Sequence, residues 1–135
     1  MTLTFVQTLS HAVSGVTAQG IGAFILIAPH AFYTSYGITL GPDPSLLSEL
    51  RAPGAGLAAL GGVMLAGLFR SAMVQPAIMA ALSVFLAFPA GRLVGIAIDG
   101  IPSSGIVGAL LLELAIAMLC VLAFRPTAWP RAGLT

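Results

Sequence analysis

Long apolar stretches alternate with short polar interruptions along this chain, and the stretches share one length. Residues 5–28 carry no formal charge and end at Pro29-His30. Residues 46–69 open on the polar stretch LLSELRAPGAG and then run apolar up to Arg70. Residues 73–99 are interrupted at Arg92 and close on Asp99, and residues 103–124 contain one charge, Glu113, before Arg125-Pro126. A helix needs ~20 apolar residues to cross a hydrocarbon layer about 30 Å thick. The pattern therefore predicts an all-α integral membrane protein: a bundle of four transmembrane helices, over 5–28, 46–69, 73–99 and 103–124, in one domain of residues 1–135.

The interruptions agree with these limits. GPDPS at 41–45 sets two prolines beside Gly and Asp, a loop signal. Ser45 or Ser48 is expected to cap the second helix by satisfying an orphan N–H. Gln75-Pro76 suits the first turn of the third helix. Asp99-Gly100 with Pro102 reads as a stop, after which Ser103 or Ser104 starts the fourth helix. Pro53 either kinks the second helix near its start or opens the span proper after a short outer helix ending near Arg51.

Composition strengthens the membrane reading. The 135 residues are 59% hydrophobic and only 7% charged, against about 25% charged in a soluble domain. Mean hydropathy is +1.07. Five arginines face two Asp and two Glu, and a net charge of +1 offers no basic stripe for nucleic acid. The start, MTLTFVQTLSHAVSG, lacks the basic residues of a cleaved signal, so the first stretch is expected to be a retained span.

Four spans put both termini and the link around Arg70 on one side, with Arg70, Arg125, Arg131 and no acid. Arg51, Arg92, Asp43, Glu49 and Asp99 fall toward the other. Positive residues flank cytoplasmic ends, so both termini are expected inside a cytoplasmic membrane. Trp129 would anchor the inner interface, and Phe32, Tyr33 and Tyr36 would form an outer aromatic belt. Ala58, Gly62 and Ala66, with Gly91 and Gly95, form small-residue ridges suited to helix packing or to a homo-oligomer face.

The few charges are the candidate site. Arg51 shares a helix face with Ala55, Ala58 and Gly62, which turns it into the bundle. Arg92 and Asp99 lie seven residues apart on one face. Glu113 falls ~14 Å into its helix, where a charge costs at least about 2.5–3.5 kcal/mol. It is expected to face inward, either paired with an arginine or protonated. The predicted polar cluster is Glu49, Arg51, Arg92, Asp99 and Glu113 at the outer end. It either fixes helix register or surrounds a pocket for a head group, a proton or a quinone-like molecule.

Other chemistries lack residues. There is no CxxC, no HExxH, no helical His pair and no phosphate-binding loop, so neither a metal nor another cofactor is expected. Cys120 reads as a small buried hydrophobe. His11, on one face with Gln7 and Ser14, reads as hydrogen-bonded or interfacial.

LLSELRAPGAG, GRLVGIAIDGIPS and ELAIAML, with the early IAPHAFYTSYG, together resemble a family of small bacterial four-helix membrane proteins known only as a domain of unknown function. That family is broadly similar to DoxX-like proteins. Its E-L-R-x-P-G-G, G-R, D-G and late Glu motifs fall on Glu49, Arg51, Pro53, Gly54, Gly91, Arg92, Asp99, Gly100 and Glu113, with Ala55 in place of the second Gly. The resemblance implies a four-helix bundle in a bacterial inner membrane, no assigned activity, and by fold analogy an accessory place in a redox complex. Three functional readings result. The leading one is a non-enzymatic accessory or interaction subunit of a membrane complex. The alternative is a binding or transport protein for a small lipophilic molecule, quinone- or lipid-like, or for a protonatable one. The third is an enzyme with Glu49 or Glu113 as acid/base.

Overall fold

A computed structural model of the chain describes residues 2–125. Trp129 and Arg131, expected at the inner interface, lie outside the described residues. All regular structure in 2–125 is helical: α1 (Phe5–Ile27), a short α2 (Pro29–Thr34), α3 (Pro44–Ala66), a 3-10 turn (Ser71–Met73) leading into α4 (Val74–Asp99), and α5 (Ser104–Phe124).

Local chemistry sets these bounds. Thr4 and Gln7 form a reciprocal capping box at the head of α1: each side chain accepts the other's backbone N–H, at 3.0 and 3.3 Å. Asp43, rather than the expected Ser45 or Ser48, caps α3 and accepts from Ser45 N at 2.9 Å. Pro44 already holds the φ of a first helical position, so the helix begins before either serine can cap it. α3 then runs unbroken through Pro53, which removes the alternative of a separate outer helix ending near Arg51. α4 stops at Gly100, whose φ of +98° suits glycine.

The long helices pack in a ring, α1 on α3, α3 on α4, α4 on α5 and α5 back on α1. The core between them holds Ala18, Leu57, Met64, Ala81, Val84, Phe85, Ile116 and Ala117. α1 and α3 make the closest approach, and glycine permits it. A Cβ on Gly22 would overlap Ala58 N and the Gly54 carbonyl, and one on Gly61 would overlap Gln19 N. The ridge that meets α1 is thus Gly54, Ala58 and Gly61. Of the expected Ala58, Gly62 and Ala66, Ala58 takes part in it and Gly62 lies at its edge beside the Gln19 side chain, because the helix presents Gly54, Leu57, Gly61 and Met64 inward. Gly91 and Gly95 contribute no helix contact: space is open around both.

α1, α5, and α4 taken with its 3-10 turn are each long and apolar enough to cross a membrane. α3 does not join them, since Glu49, Arg51 and Pro53 dilute its first turns. Outside the ring, Ile27, Val94, Ile98, Leu111, Met118 and Leu122 leave half or more of their surface uncovered. So continuous an apolar exterior belongs in lipid, and the chain is a membrane protein.

Gly61→Ala and Gly22→Ala should each destabilise the bundle by about 1–3 kcal/mol or more through overpacking against backbone. Gly56→Ala, with open space at its Cβ, should be neutral or slightly stabilising. Thermal unfolding in one mild detergent measures both; equal transitions for Gly61→Ala and Gly56→Ala would contradict the close approach.

Candidate functional site

Arg92 enters from α4 and Glu113 from α5, and the two meet as a fork. Arg92 Nε donates to Glu113 Oε2 at 2.9 Å and Nη2 donates to Oε1 at 2.9 Å. Bidentate pairing of this kind is the strongest form of ionic hydrogen bond. Glu113 is buried, 9% exposed, while Arg92 is only partly covered. Counted from the nearer helix ends, the pair sits ~10 Å along α4 from Asp99 and ~14 Å into α5.

The other charges predicted for this cluster lie apart. Arg51 Nη1 donates to the carbonyls of Leu26 and Ile27, capping the C-terminus of α1 rather than an acid. A cation there meets the negative end of the helix dipole and the carbonyls that the break at Ala28 leaves open. Glu49 and Asp99 are exposed, and neither joins an ion pair among the described residues. Asp99 is a full two turns above Arg92, beyond direct contact, and Glu49 lies on the far side of its helix from the face that Gly54 and Gly61 present to α1.

Beside the Arg92–Glu113 fork lies a cavity of about 620 Å³, within the range of small-molecule sites. Thr17, Ile21 and Ile25 of α1 form one wall, Phe85, Phe88 and Gly91 of α4 another, and Ile106, Ala109 and Leu112 of α5 a third. Gly91 and Ala109 are small where they line it, which leaves the space unfilled. Phe32, Tyr33 and Tyr36, in and just after α2, complete the lining. The expected aromatic belt is thus a cavity wall, because Pro29 starts a new helix that folds these rings inward. Phe32 packs edge-on against Phe24, Tyr33 and Tyr36 at 5.2–5.5 Å. Ser103 Oγ donates to the Tyr36 carbonyl at 2.9 Å and ties this segment to the head of α5. Both phenols share the cavity lining with Arg92. Burial pushes the Tyr33 phenol above its ordinary range, with Arg92 opposing, so it stays a neutral donor.

A second polar group occupies the other end of the bundle. Ser10 Oγ donates to Cys120 Sγ at 3.2 Å and Ser14 Oγ to the Ser10 carbonyl at 2.7 Å. His11 lies inside the bundle with its Nε2 not hydrogen-bonded. It is 1% exposed, its Nε2 has no partner among the described residues, and its ring lies 4.9 Å from that of Phe124. Gly67, just past α3, and Phe124 of α5 lie against its ring. No group of three metal-ligating side chains occurs among the described residues.

Breaking the fork from one side should cost more than removing it whole. Arg92→Ala strands a buried acid, an effect of about 3–5 kcal/mol for buried pairs, whereas Arg92→Ala with Glu113→Gln should recover much of that loss. A double-mutant cycle on thermal stability in detergent reads the coupling; strictly additive losses would mean that the pair is not coupled in the membrane protein.

The family described as "Domain of unknown function (DUF4345)" matches residues 6–124, nearly the whole chain. The chain belongs to that family. No curated protein and no solved structure matches it.

Proposed function

For this member of a family described only by its unknown function, we propose a membrane protein that binds or carries a small lipophilic molecule in the cavity beside Arg92 and Glu113. The observation that carries this reading is the cavity itself: about 620 Å³ of space, walled by apolar and aromatic side chains, with a polar fork on one side. Concave apolar sites with a few convergent polar groups are what small-molecule binding requires. An accessory subunit in a larger complex, or a homo-oligomer, needs no such space, so the ligand reading takes precedence over the subunit role expected from the sequence. A quinone, implied by the DoxX-like resemblance, is one member of the ligand class and a lipid another. The candidate binding residues are Arg92 and Glu113 with Tyr33 and Tyr36; Glu49, Arg51 and Asp99 lie outside the lining.

The setting we propose is a bacterial inner membrane, with α3 as a fourth span and both termini cytoplasmic. By sequence, Arg70, Arg125 and Arg131 fall on the terminal side against Arg51 and Arg92 on the other, which also carries Asp43, Glu49 and Asp99. α3 crosses despite its polar first turns because Arg51 is satisfied by backbone carbonyls of α1 and Glu49 can remain at the outer surface.

Native mass spectrometry of protein extracted from its own membranes in mild detergent tests the ligand reading. The expected result is a co-purifying small molecule that is lost in Ala109→Phe and in Gly91→Leu, which fill the cavity from two different helices. An empty wild-type protein, or occupancy untouched by both substitutions, would overturn it. Orientation is read in a Cys120→Ala background: a membrane-impermeant maleimide added outside should label Thr39→Cys and spare Ala72→Cys, and the reverse pattern would invert the topology.

A further inference from the structure

The charge balance of the cavity restricts what enters it, and this step rests on the ligand reading above. Arg92 and Glu113 are the two charged side chains in the lining, and their forked contact uses Nε, Nη2 and both carboxylate oxygens. The site is therefore neutral before any ligand arrives. The nearest other cation along the outer end, Arg51, is committed to the α1 carbonyls, and Glu49, Asp99 and His30 are exposed away from the lining. A ligand carrying a full charge would have to bury it without a counter-ion or pull the fork apart and strand one of its members; both are costly at this depth.

Donors, by contrast, are in surplus. Arg92 Nη1 has no partner among the described residues, and neither do the hydroxyls of Tyr33 and Tyr36, which share the lining with it. Guanidinium N–H and phenol O–H groups ask for an acceptor oxygen. The remaining walls offer hydrocarbon and aromatic surface. We infer that the cavity selects an uncharged amphiphile with a ketone or hydroxyl oxygen at one end, held by Arg92 and the two phenols, and an apolar body laid against α1, α4 and α5.

A set of probes with the same alkyl body separates head from tail: 2-dodecanone, dodecanol, dodecanoate and dodecyltrimethylammonium, each titrated into the purified full chain and followed by native mass spectrometry. The ketone and the alcohol should bind at least about tenfold more tightly than either ion, with both affinities lost in Ala109→Phe. Gly91→Leu serves as the second occluding variant, and thermal transitions show which variants are folded. Dodecanoate or the ammonium binding as tightly as the neutral probes, still sensitive to the occluding substitutions, would overturn the inference while leaving a ligand site in place. If none of the four binds in a manner sensitive to occlusion, the ligand reading fails and takes the inference with it.

Discussion

Two opposite charges placed well below the ends of their helices, in a bundle whose outer surface is hydrocarbon, must hold each other. An unpaired Arg or Glu at such depth carries a penalty of several kcal/mol; the forked contact between Arg92 and Glu113 offsets it with two short ionic hydrogen bonds. The pair also fixes the relative rotation of α4 and α5, because each side chain reaches the other only from one face of its helix. Everything near this half of the bundle follows from that rotation: Gly91 and Ala109 come to line one space, and the aromatic rings that follow Pro29 complete its walls.

The bundle is unequal across its width. On the α1–α3 side, Gly22, Gly54 and Gly61 let the backbones touch, and no space is left for a methyl group. Packing alone holds helices together in lipid, since the tails are as apolar as the side chains, so this tight seam is where the bundle gains its association energy. On the other side the aromatic and charged side chains hold the walls apart. A close-packed half supports an open half, and Arg51, reaching from α3 to the end of α1, joins the seam to the segment that lines the cavity.

Much of this was legible in the order of residues. Apolar runs of membrane length located the long helices, and Glu113 could only point inward because lipid would not tolerate it. Its partner was harder to read: Arg51 and Arg92 both stood near the right level, and only the rotation of α4 against α5 decides between them. The role of Arg51 was hidden because its partners are backbone carbonyls at Leu26 and Ile27, and every residue carries those. Gly54 and Gly61 were missed as the packing ridge for a related reason: α3 has glycine and alanine on nearly every face, so spacing alone could not say which face meets α1. IAPHAFYTSYG looked like an interfacial belt since aromatic residues near a span's end usually are one; the proline that starts a separate short helix was the signal that the rings turn inward. His11, finally, gave no sequence cue to an unpartnered nitrogen, which depends on distant parts of the chain, Gly67 and Phe124, packing against its ring.

The forked pair has an electrical consequence. A single fixed charge feels a force in a transmembrane voltage, worth ~2.3 kcal/mol for each 100 mV it falls through. Arg92 and Glu113 sit side by side at nearly one level, so the voltage acts on them in opposite directions and its net pull is close to nil. The cell can charge or discharge its membrane without tugging on this part of the bundle.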